Sequence, residues 1–263
     1  MGTLDEAVAL DAAGPDVWQA HADPDHESIN AMFGGWTAAV CLASVQGSSP
    51  NELTPSALTV NYIAAVAPGT HPTIHVEHLG GSRSIDHWRA DLRAEGTGAL
   101  QASASVVLTA RRPTEPHLQW TRPDAPLPET LEEFHAPGTQ GRQTDIRRLS
   151  GTEDAYGGGD TRTSAWVRMM SGRPVDHLQL AYLADQFAPR SFYWGSGLRP
   201  SATITMSVYF HATPDDLAAA GDGYLLNEAT GTRGADATSG QQARLWSQAG
   251  ALLATTEQLA WYR

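Results

Sequence analysis

The feature that most constrains how this chain can fold is an internal repeat. Residues 101–112, QASASVVLTARR, and residues 252–263, LLATTEQLAWYR, both alternate as a half-buried β-strand does. A second pair of strand-like segments, 56–70 and 201–214, also corresponds, since a proline ends each strand. A chain with such self-similarity is predicted to fold as two copies of one unit that pack together.

Turn residues set the register between the two copies. The matched residues are Pro68 with Pro214, a shift of 146 positions, and Gly96 with Gly250, a shift of 154 positions. In this register Thr203 corresponds to Ala57, and Gln258 corresponds to Ala104. Only the second copy therefore has polar side chains at these places, which points to a functional site there.

Each copy reads as one helix followed by several antiparallel strands, so we predict an α+β fold with a helix on a sheet in each unit. The predicted helices are 29–45, capped by Ser28, and 175–189, closed by Pro189. The proline-rich stretch 113–155 lacks apolar periodicity, and we interpret it as a linker. The predicted units are 1–112 and 156–263, with two sheets joined edge to edge.

Charge and composition exclude several classes of protein. The net charge of −12, with no basic stripe visible in the sequence, argues against a nucleic-acid-binding surface. No apolar run reaches the ~20 residues that a membrane-spanning helix needs. The acidic N-terminus has no basic region before an apolar one, so we expect no signal peptide and a cytoplasmic protein. Cys41 is the only cysteine, and no cluster of ligands suggests a metal.

Four stretches resemble the acyl-CoA thioesterase II group, whose members have the double-hotdog fold. They are FGGW at 33–36, LAYLADQF at 180–187, ATITMSVYFH at 202–211 and ATTEQLAWYR at 254–263. The resemblance implies a double hotdog that hydrolyses acyl-CoA thioesters. It also implies that Asp185, Thr203 and Gln258 orient the nucleophilic water.

The chain departs from the family pattern at three positions. Trp36 replaces the polar residue that follows the glycine pair, and Thr205 and Met206 stand where the family often has Asp-His. These departures leave open the acyl group, and whether the reaction is still hydrolysis.

The residues themselves favour direct attack by water. A G-x-S-x-G nucleophile motif is missing, because the segment 194–197 begins with tryptophan instead of glycine. Cys41 lies in an apolar helix, as a buried inert thiol does. Asp185 is then the candidate general base, since burial would raise its pKa to a useful value. The alternative for Asp185 is a solvent-facing residue near the helix end.

Thr203 and Gln258 together offer a hydroxyl and an amide that can hold a water molecule. The alternatives are ordinary strand propensity for Thr203 and an exposed strand position for Gln258. The glycine pair Gly34-Gly35 indicates close backbone approach, either to a neighbouring element or to a ligand. If to a ligand, its N–H groups are the candidate donors to the oxyanion.

An aromatic run separates the Asp185 helix from the Thr203 strand. Its residues Phe192, Tyr193 and Trp194 either line the acyl pocket or pack the junction. Trp36 is predicted to narrow the same pocket and to select short, aromatic or polyketide-like acyl groups.

The sequence thus predicts a hydrolase that cleaves a coenzyme A or carrier-bound acyl thioester with water activated by Asp185. The alternative is a hotdog protein that binds an acyl or polyketide group without hydrolysis, or that catalyses its dehydration or cyclisation. We expect no cofactor beyond the coenzyme A of the substrate, an acyl carrier protein as an alternative partner, and neither nucleic acid nor membrane. The resemblance also implies a homo-oligomer, which exposed sheet edges would allow.

Overall fold

A computed structural model describes residues 3–195 and 197–263. The helices are α1 Leu4–Ala7, α2 Gly34–Ser48, α3 His177–Leu183 and α4 Pro214–Ala220. The first six strands are β1 Leu10–Gly14, β2 Val17–Ala20, β3 Thr54–Tyr62, β4 Thr73–Ser82, β5 Ile85–Arg93 and β6 Leu100–Thr109. The others are β7 Glu133–Phe134, β8 Thr144–Ser150, β9 Thr163–Met169, β10 Ser201–Phe210, β11 Leu225–Ala235, β12 Thr238–Ser247 and β13 Leu252–Tyr262.

The strands form one sheet with a pseudo-two-fold order. Outward from its centre, one half runs β3, β6, β5, β4, β2, β1 and the other runs β10, β13, β12, β11, β9, β8, with β7 at the end. The halves meet where β3 pairs antiparallel with β10. The hydroxyls of Thr59 and Ser207 lie 2.9 Å apart across this junction. The predicted pair of helix-on-sheet units, joined edge to edge, is confirmed.

Helix α2 is buried on almost all sides, which explains why small residues dominate it. The predicted cap, Ser28, is wrong: the helix begins at Gly34, and Phe33 holds the cap position without a side-chain hydrogen bond. Gly34 and Gly35 therefore form the first turn instead of interrupting the helix. The helix ends at Ser48, followed by Ser49-Pro50, because the residue before a proline disfavours helical backbone.

Helix α3 is shorter than predicted. It begins after Asp176, whose carboxylate accepts the backbone N–H of Gln179 at 2.8 Å, and it ends at Leu183 instead of Pro189. Beyond that end, side chains from the sheet bind carbonyls that a longer helix would use itself. The Gln258 amide nitrogen, for example, lies 3.4 Å from the carbonyl of Ala184, whose partner in a longer helix would be the backbone N–H four residues on.

The stretch predicted as a linker, 113–155, is only partly a connection. Its second part contains β8, which pairs with β9 and occupies the place that β1 has in the first half. The strand was missed in the sequence because it contains charged residues instead of an apolar alternation. In the structure the buried Asp145 forms ion pairs with Arg147 and Arg168. Its first part covers the outer face of the second half, where the Trp166 indole donates to the carbonyl of Pro126 at 2.8 Å. The boundaries of the two units stay a prediction.

One hydrophobic core runs through both halves, between the helices and the inner face of the sheet. It includes Trp36 and Leu58 from the first half and Tyr182, Met206 and Phe210 from the second. A smaller cluster around Trp246 lies on the outer face. Among the described residues, no helix is both long and apolar enough to cross a membrane.

Candidate active site

Asp185 lies where the end of α3 meets the beginning of α2. Its carboxylate accepts the backbone N–H of Gly35 in the first turn of α2 and, at 2.9 Å, the side-chain Nε2–H of Gln258. The first turn of a helix favours negative charge, because its N–H groups lack partners within the helix. Asp185 comes from one half of the molecule and Gly35 from the other, so the pseudo-dimer creates the site.

The glycine pair allows this close approach. A Cβ atom on Gly35 would lie 2.2 Å from the carbonyl oxygen of Tyr182, and one on Gly34 would lie 2.6 Å from Asp185 Oδ2. Close approach to a neighbouring element therefore holds: Gly35 is required by packing against α3, and Gly34 leaves room for the Asp185 carboxylate. Approach to a ligand stays a prediction. The Gly35 N–H, however, already binds Asp185, so it is engaged by the carboxylate instead of serving as a free oxyanion donor.

Burial raises the pKa of Asp185 from its usual value near 4 to about 7. The hydrogen bonds from Gln258 and Gly35 favour the ionised form and oppose this rise, but desolvation is larger. A carboxylate with a pKa near neutrality can accept a proton at pH 7 and release it later in the same cycle. Asp185 is half-buried and its carboxylate is held by groups of the interior, which favours the inward-facing reading over the solvent-facing one.

Gln258 is 2% exposed and faces the helices, so the exposed-strand alternative is excluded. Its amide nitrogen also lies 3.2 Å from the sulfur of Met206 and 3.4 Å from the carbonyl of Ala184. Its amide oxygen accepts a hydrogen bond of 2.7 Å from Gln241 and a longer one, 3.4 Å, from the Thr203 hydroxyl. Asp185, Thr203 and Gln258 therefore meet, as the sequence predicted.

A β-bulge turns Thr203 towards this site. In β10 the residues Met206 and Val208 face the core, so strict alternation would direct Thr203 to the opposite face. The pairing with β13 shifts by one residue between Thr203 and Thr205, and Thr203 pairs with Ala260 on the inner face. Bulges of this kind commonly redirect side chains next to active sites.

The bulges also correct the register predicted between the copies. Just before its bulge, β10 pairs Thr203 with Ala260, and just before the matching bulge, β3 pairs Pro55 with Leu108. Three residues later, β10 pairs Met206 with Gln258, and β3 pairs Leu58 with Val106. The first-half counterparts of Thr203 and Gln258 are therefore Pro55 and Val106, not Ala57 and Ala104. The alignment on turn residues was wrong because loops differ in length between the copies. The pairing register around the bulge is the same in both copies.

Sequence reasoning missed two residues of the site. Tyr62, at the end of β3, donates its hydroxyl to the carbonyl of Gly34 at 3.0 Å, and its ring lies beside the space that Asp185 borders. Gln241 lies across the strand pair from Gln258. Tyr62 has no sequence signal, because aromatic residues are common in strands. Gln241, like Gln258, is a lone amide on an otherwise small or apolar strand face.

The other predicted binding residues lie away from this carboxylate. Trp36 is fully buried and donates its indole N–H to the carbonyl of Ala7 at 2.8 Å, so it packs against the N-terminal segment. Tyr193 donates to the carbonyl of Gly151 and Phe192 stacks edge-on with Tyr156. Trp194 packs against Tyr262. These contacts match the junction-packing alternative, and a role in substrate binding stays a prediction.

Other nucleophile and metal candidates are weak in the described part of the chain. Burial raises the pKa of the Cys41 thiol to about 12, so the reactive thiolate is disfavoured. Ser196, in the segment that fails the serine-nucleophile motif, lies outside the described residues. Within 3–195 and 197–263, no group of three or more His, Cys, Asp or Glu side chains could hold a metal ion.

A cleft of about 620 Å³ lies on the outer face of the sheet, between β10, β13 and the β11–β12 hairpin. The side chains of Glu257 and Leu259 border it, and they point away from the helices because Gln258 between them points inward. The sheet therefore separates this cleft from the Asp185 carboxylate. Of the two departures on β10, Thr205 borders the cleft and Met206 contacts the site.

Comparison with known families agrees with this geometry. A family model described as the acyl-CoA thioesterase N-terminal domain matches residues 22–109, and one described as the C-terminal domain matches residues 114–262. The chain belongs to the acyl-CoA thioesterase family. The match to the C-terminal domain includes most of the stretch predicted as a linker. No curated protein sequence matches this thioesterase-family chain.

Solved structures confirm the double hotdog. A conserved hot dog fold protein of unknown function from Alicyclobacillus acidocaldarius is 30% identical, with a TM-score of 0.92 over 99% of this chain and 97% of that one. An acyl-CoA thioesterase II from Mycobacterium marinum is 18% identical, with a TM-score of 0.79 over 99% and 98%. The dehydratase domain of PpsC from Mycobacterium tuberculosis, in complex with C12:1-CoA, is 12% identical, with a TM-score of 0.59 over 98% and 99%.

Proposed function

We propose that this protein hydrolyses an acyl thioester of coenzyme A, or of a carrier protein, with water activated by Asp185. The observation that carries the proposal is a carboxylate with a pKa of about 7, held at the first turn of α2 by Gly35 and Gln258. Such a group is a general base at neutral pH. Membership in the acyl-CoA thioesterase family supports the thioester as substrate.

The proposed reaction needs only this chain, water and the thioester. Asp185 takes a proton from water as the water oxygen forms a bond to the thioester carbonyl carbon. The C–S bond then breaks, and the thiolate takes the proton back from Asp185, leaving a carboxylic acid and a free thiol. In this proposal Gln258 orients the carboxylate, and the Thr203 hydroxyl beside it helps to position the water.

A thiol-release assay tests the proposal. Wild type, Asp185→Asn and Glu257→Gln are compared on short, long and aromatic acyl-CoAs, with folding checked by circular dichroism. We expect Asp185→Asn to reduce turnover by about a hundredfold to ten-thousandfold, because it cannot accept the proton. Glu257→Gln is the matched control, since it removes a neighbouring carboxylate on the outer face.

Each outcome of the assay distinguishes between hydrolysis at Asp185 and its alternatives. Full activity in folded Asp185→Asn would contradict the role of Asp185 as base. A loss in Glu257→Gln instead would place the reaction in the outer cleft. A wild type that binds acyl-CoA tightly but releases no thiol would favour the non-hydrolytic alternative, whether binding, dehydration or cyclisation.

A further inference from the structure

Gln241 is the starting point of a chain of hydrogen bonds that ends at Asp185. It is 3% exposed and pairs directly across β12 and β13 with Gln258. Its amide oxygen accepts the backbone N–H of Arg190 at 3.1 Å, and its Nε2 donates to Gln258 Oε1 at 2.7 Å. Gln258 Nε2 then donates to Asp185 Oδ1 at 2.9 Å.

This chain determines the orientation of both amides. A backbone N–H can only donate, so the Gln241 atom beside Arg190 must be the oxygen, and its amino group must face Gln258. The Gln258 atom that receives this donor must likewise be an oxygen, which leaves its amino group for the carboxylate. One main-chain donor thus sets the direction of both bonds, and the carbonyl of Ala184, 3.4 Å from Gln258 Nε2, favours the same orientation of Gln258.

The first donor is itself held in place. The guanidinium of Arg190 donates to the carbonyl of Thr161 and to the hydroxyl of Thr163, both at 2.8 Å, and it also binds the carbonyl of Ala188. Arg190 is 1% exposed, and burying so much polar surface is costly unless each donor has a partner. Its side chain anchors the turn that presents its N–H to Gln241.

We propose that Gln241 is a positioning residue that locks the amide of Gln258 with its N–H towards Asp185. The inference rests on the proposed function only in that Asp185 is the base. Without Gln241, Gln258 can rotate and present its oxygen to the carboxylate. An amide oxygen repels a carboxylate but accepts a hydrogen bond from a protonated carboxyl group, so rotation would favour the form that cannot act as a base.

The first variant is Gln241→Met, which has a similar size and no charge but cannot donate to Gln258. We expect kcat at pH 7 to fall about tenfold with little change in KM, because the substrate does not contact Gln241. The pH at which kcat/KM is half-maximal should rise by about half a unit or more. Gln242→Met is the matched control, since the next side chain on β12 faces outward.

A direct titration makes the test independent of thioester hydrolysis. The pKa of Asp185 is measured by NMR of ¹³C-labelled aspartate carboxyls in wild type and in both variants, with the signal assigned by its loss in Asp185→Asn. We expect the pKa to rise in Gln241→Met and to stay at the wild-type value in Gln242→Met. An unchanged pKa in folded Gln241→Met would overturn the proposal, even if the wild type hydrolyses no thioester.

If the Gln241→Met variant does not fold, Gln241→Glu tests whether Gln241 sets the orientation of the Gln258 amide. Its carboxylate can still accept the Arg190 N–H, and its second oxygen would draw the Gln258 amino group away from Asp185. The added charge and the rotated amide should together raise the pKa of Asp185 by at least about one unit. A smaller change, in a variant whose melting temperature matches the wild type, would also overturn the proposal.

Discussion

Burial has two opposing effects on Asp185. It raises the pKa to a value that suits a general base, and it makes the ionised carboxylate costly in free energy. Its pKa of about 7 in the folded protein is far above the value of an exposed aspartate. Between pH 4 and 7 the folded state therefore binds a proton that the unfolded state has lost. The contribution of Asp185 to the free energy of unfolding should therefore decrease as pH rises through this window and level off above it.

Replacing this carboxylate should separate stability from activity. At pH 8 we expect Asp185→Asn to unfold at higher denaturant concentration than wild type, with a free energy of unfolding larger by roughly 1–4 kcal/mol. The difference should disappear below pH 4, where both side chains are neutral. Urea unfolding at several pH values measures it. A variant less stable than wild type at pH 8 would show that the bonds from Gly35 and Gln258 outweigh desolvation.

The same pKa predicts the pH dependence of turnover. Only ionised Asp185 can accept a proton, so kcat/KM should increase with pH and reach half its maximum near pH 7. A pH–rate profile of the wild type on an active acyl-CoA measures this value. A rise centred near pH 4 instead would mean that Asp185 is solvated in solution.

At the scale of elements, the bulge in β10 determines which threonine serves the site. Thr203 lies on the inner face beside Gln258, whereas Thr205 lies on the outer face and donates to the carbonyl of Val60 at 3.1 Å. We expect Thr203→Val to lower kcat by about tenfold or more, since the hydroxyl beside the water is lost. Thr205→Val, a matched change on the same strand, should leave kcat unaffected. Equal effects of both variants would argue against a water-positioning role.

The contact between α2 and α3 makes a second prediction. Gly35→Ala would place a methyl group 2.2 Å from the carbonyl oxygen of Tyr182, so one helix must shift. We expect a loss of about 1–3 kcal/mol of stability together with a loss of turnover, because the Gly35 N–H binds Asp185. Gly14→Ala is the control, as its Cβ would lie 3.8 Å from Val17, an ordinary contact. Thermal unfolding and the thiol-release assay measure both effects, and a fully active Gly35→Ala would contradict this geometry.

At the scale of the whole molecule, the two copies share one sheet and one core. The strands β3 and β10 join the halves, and the larger cluster of buried side chains includes residues of both halves. We therefore expect one cooperative unfolding transition, despite the internal repeat. Urea curves from tryptophan fluorescence and far-UV circular dichroism should coincide, and the calorimetric and van't Hoff enthalpies should agree. Two separate transitions would show that the halves unfold independently.

Homo-oligomerisation also belongs to this scale and stays a prediction. Sedimentation or light scattering of the purified protein measures it directly. A monomer at micromolar concentration would contradict it.

The sequence by itself determined the repeat, the fold class and the three polar residues Asp185, Thr203 and Gln258. Alternation and turn residues are local signals, and the resemblance carried the roles of these side chains. The tertiary structure alone decided the rest. A bulge redirected Thr203, tertiary hydrogen bonds shortened α3, and an ion-paired strand emerged from the predicted linker. Tyr62 and Gln241 joined the site because strand pairing and helix contacts bring together residues that are distant in the chain, and no local pattern records such contacts.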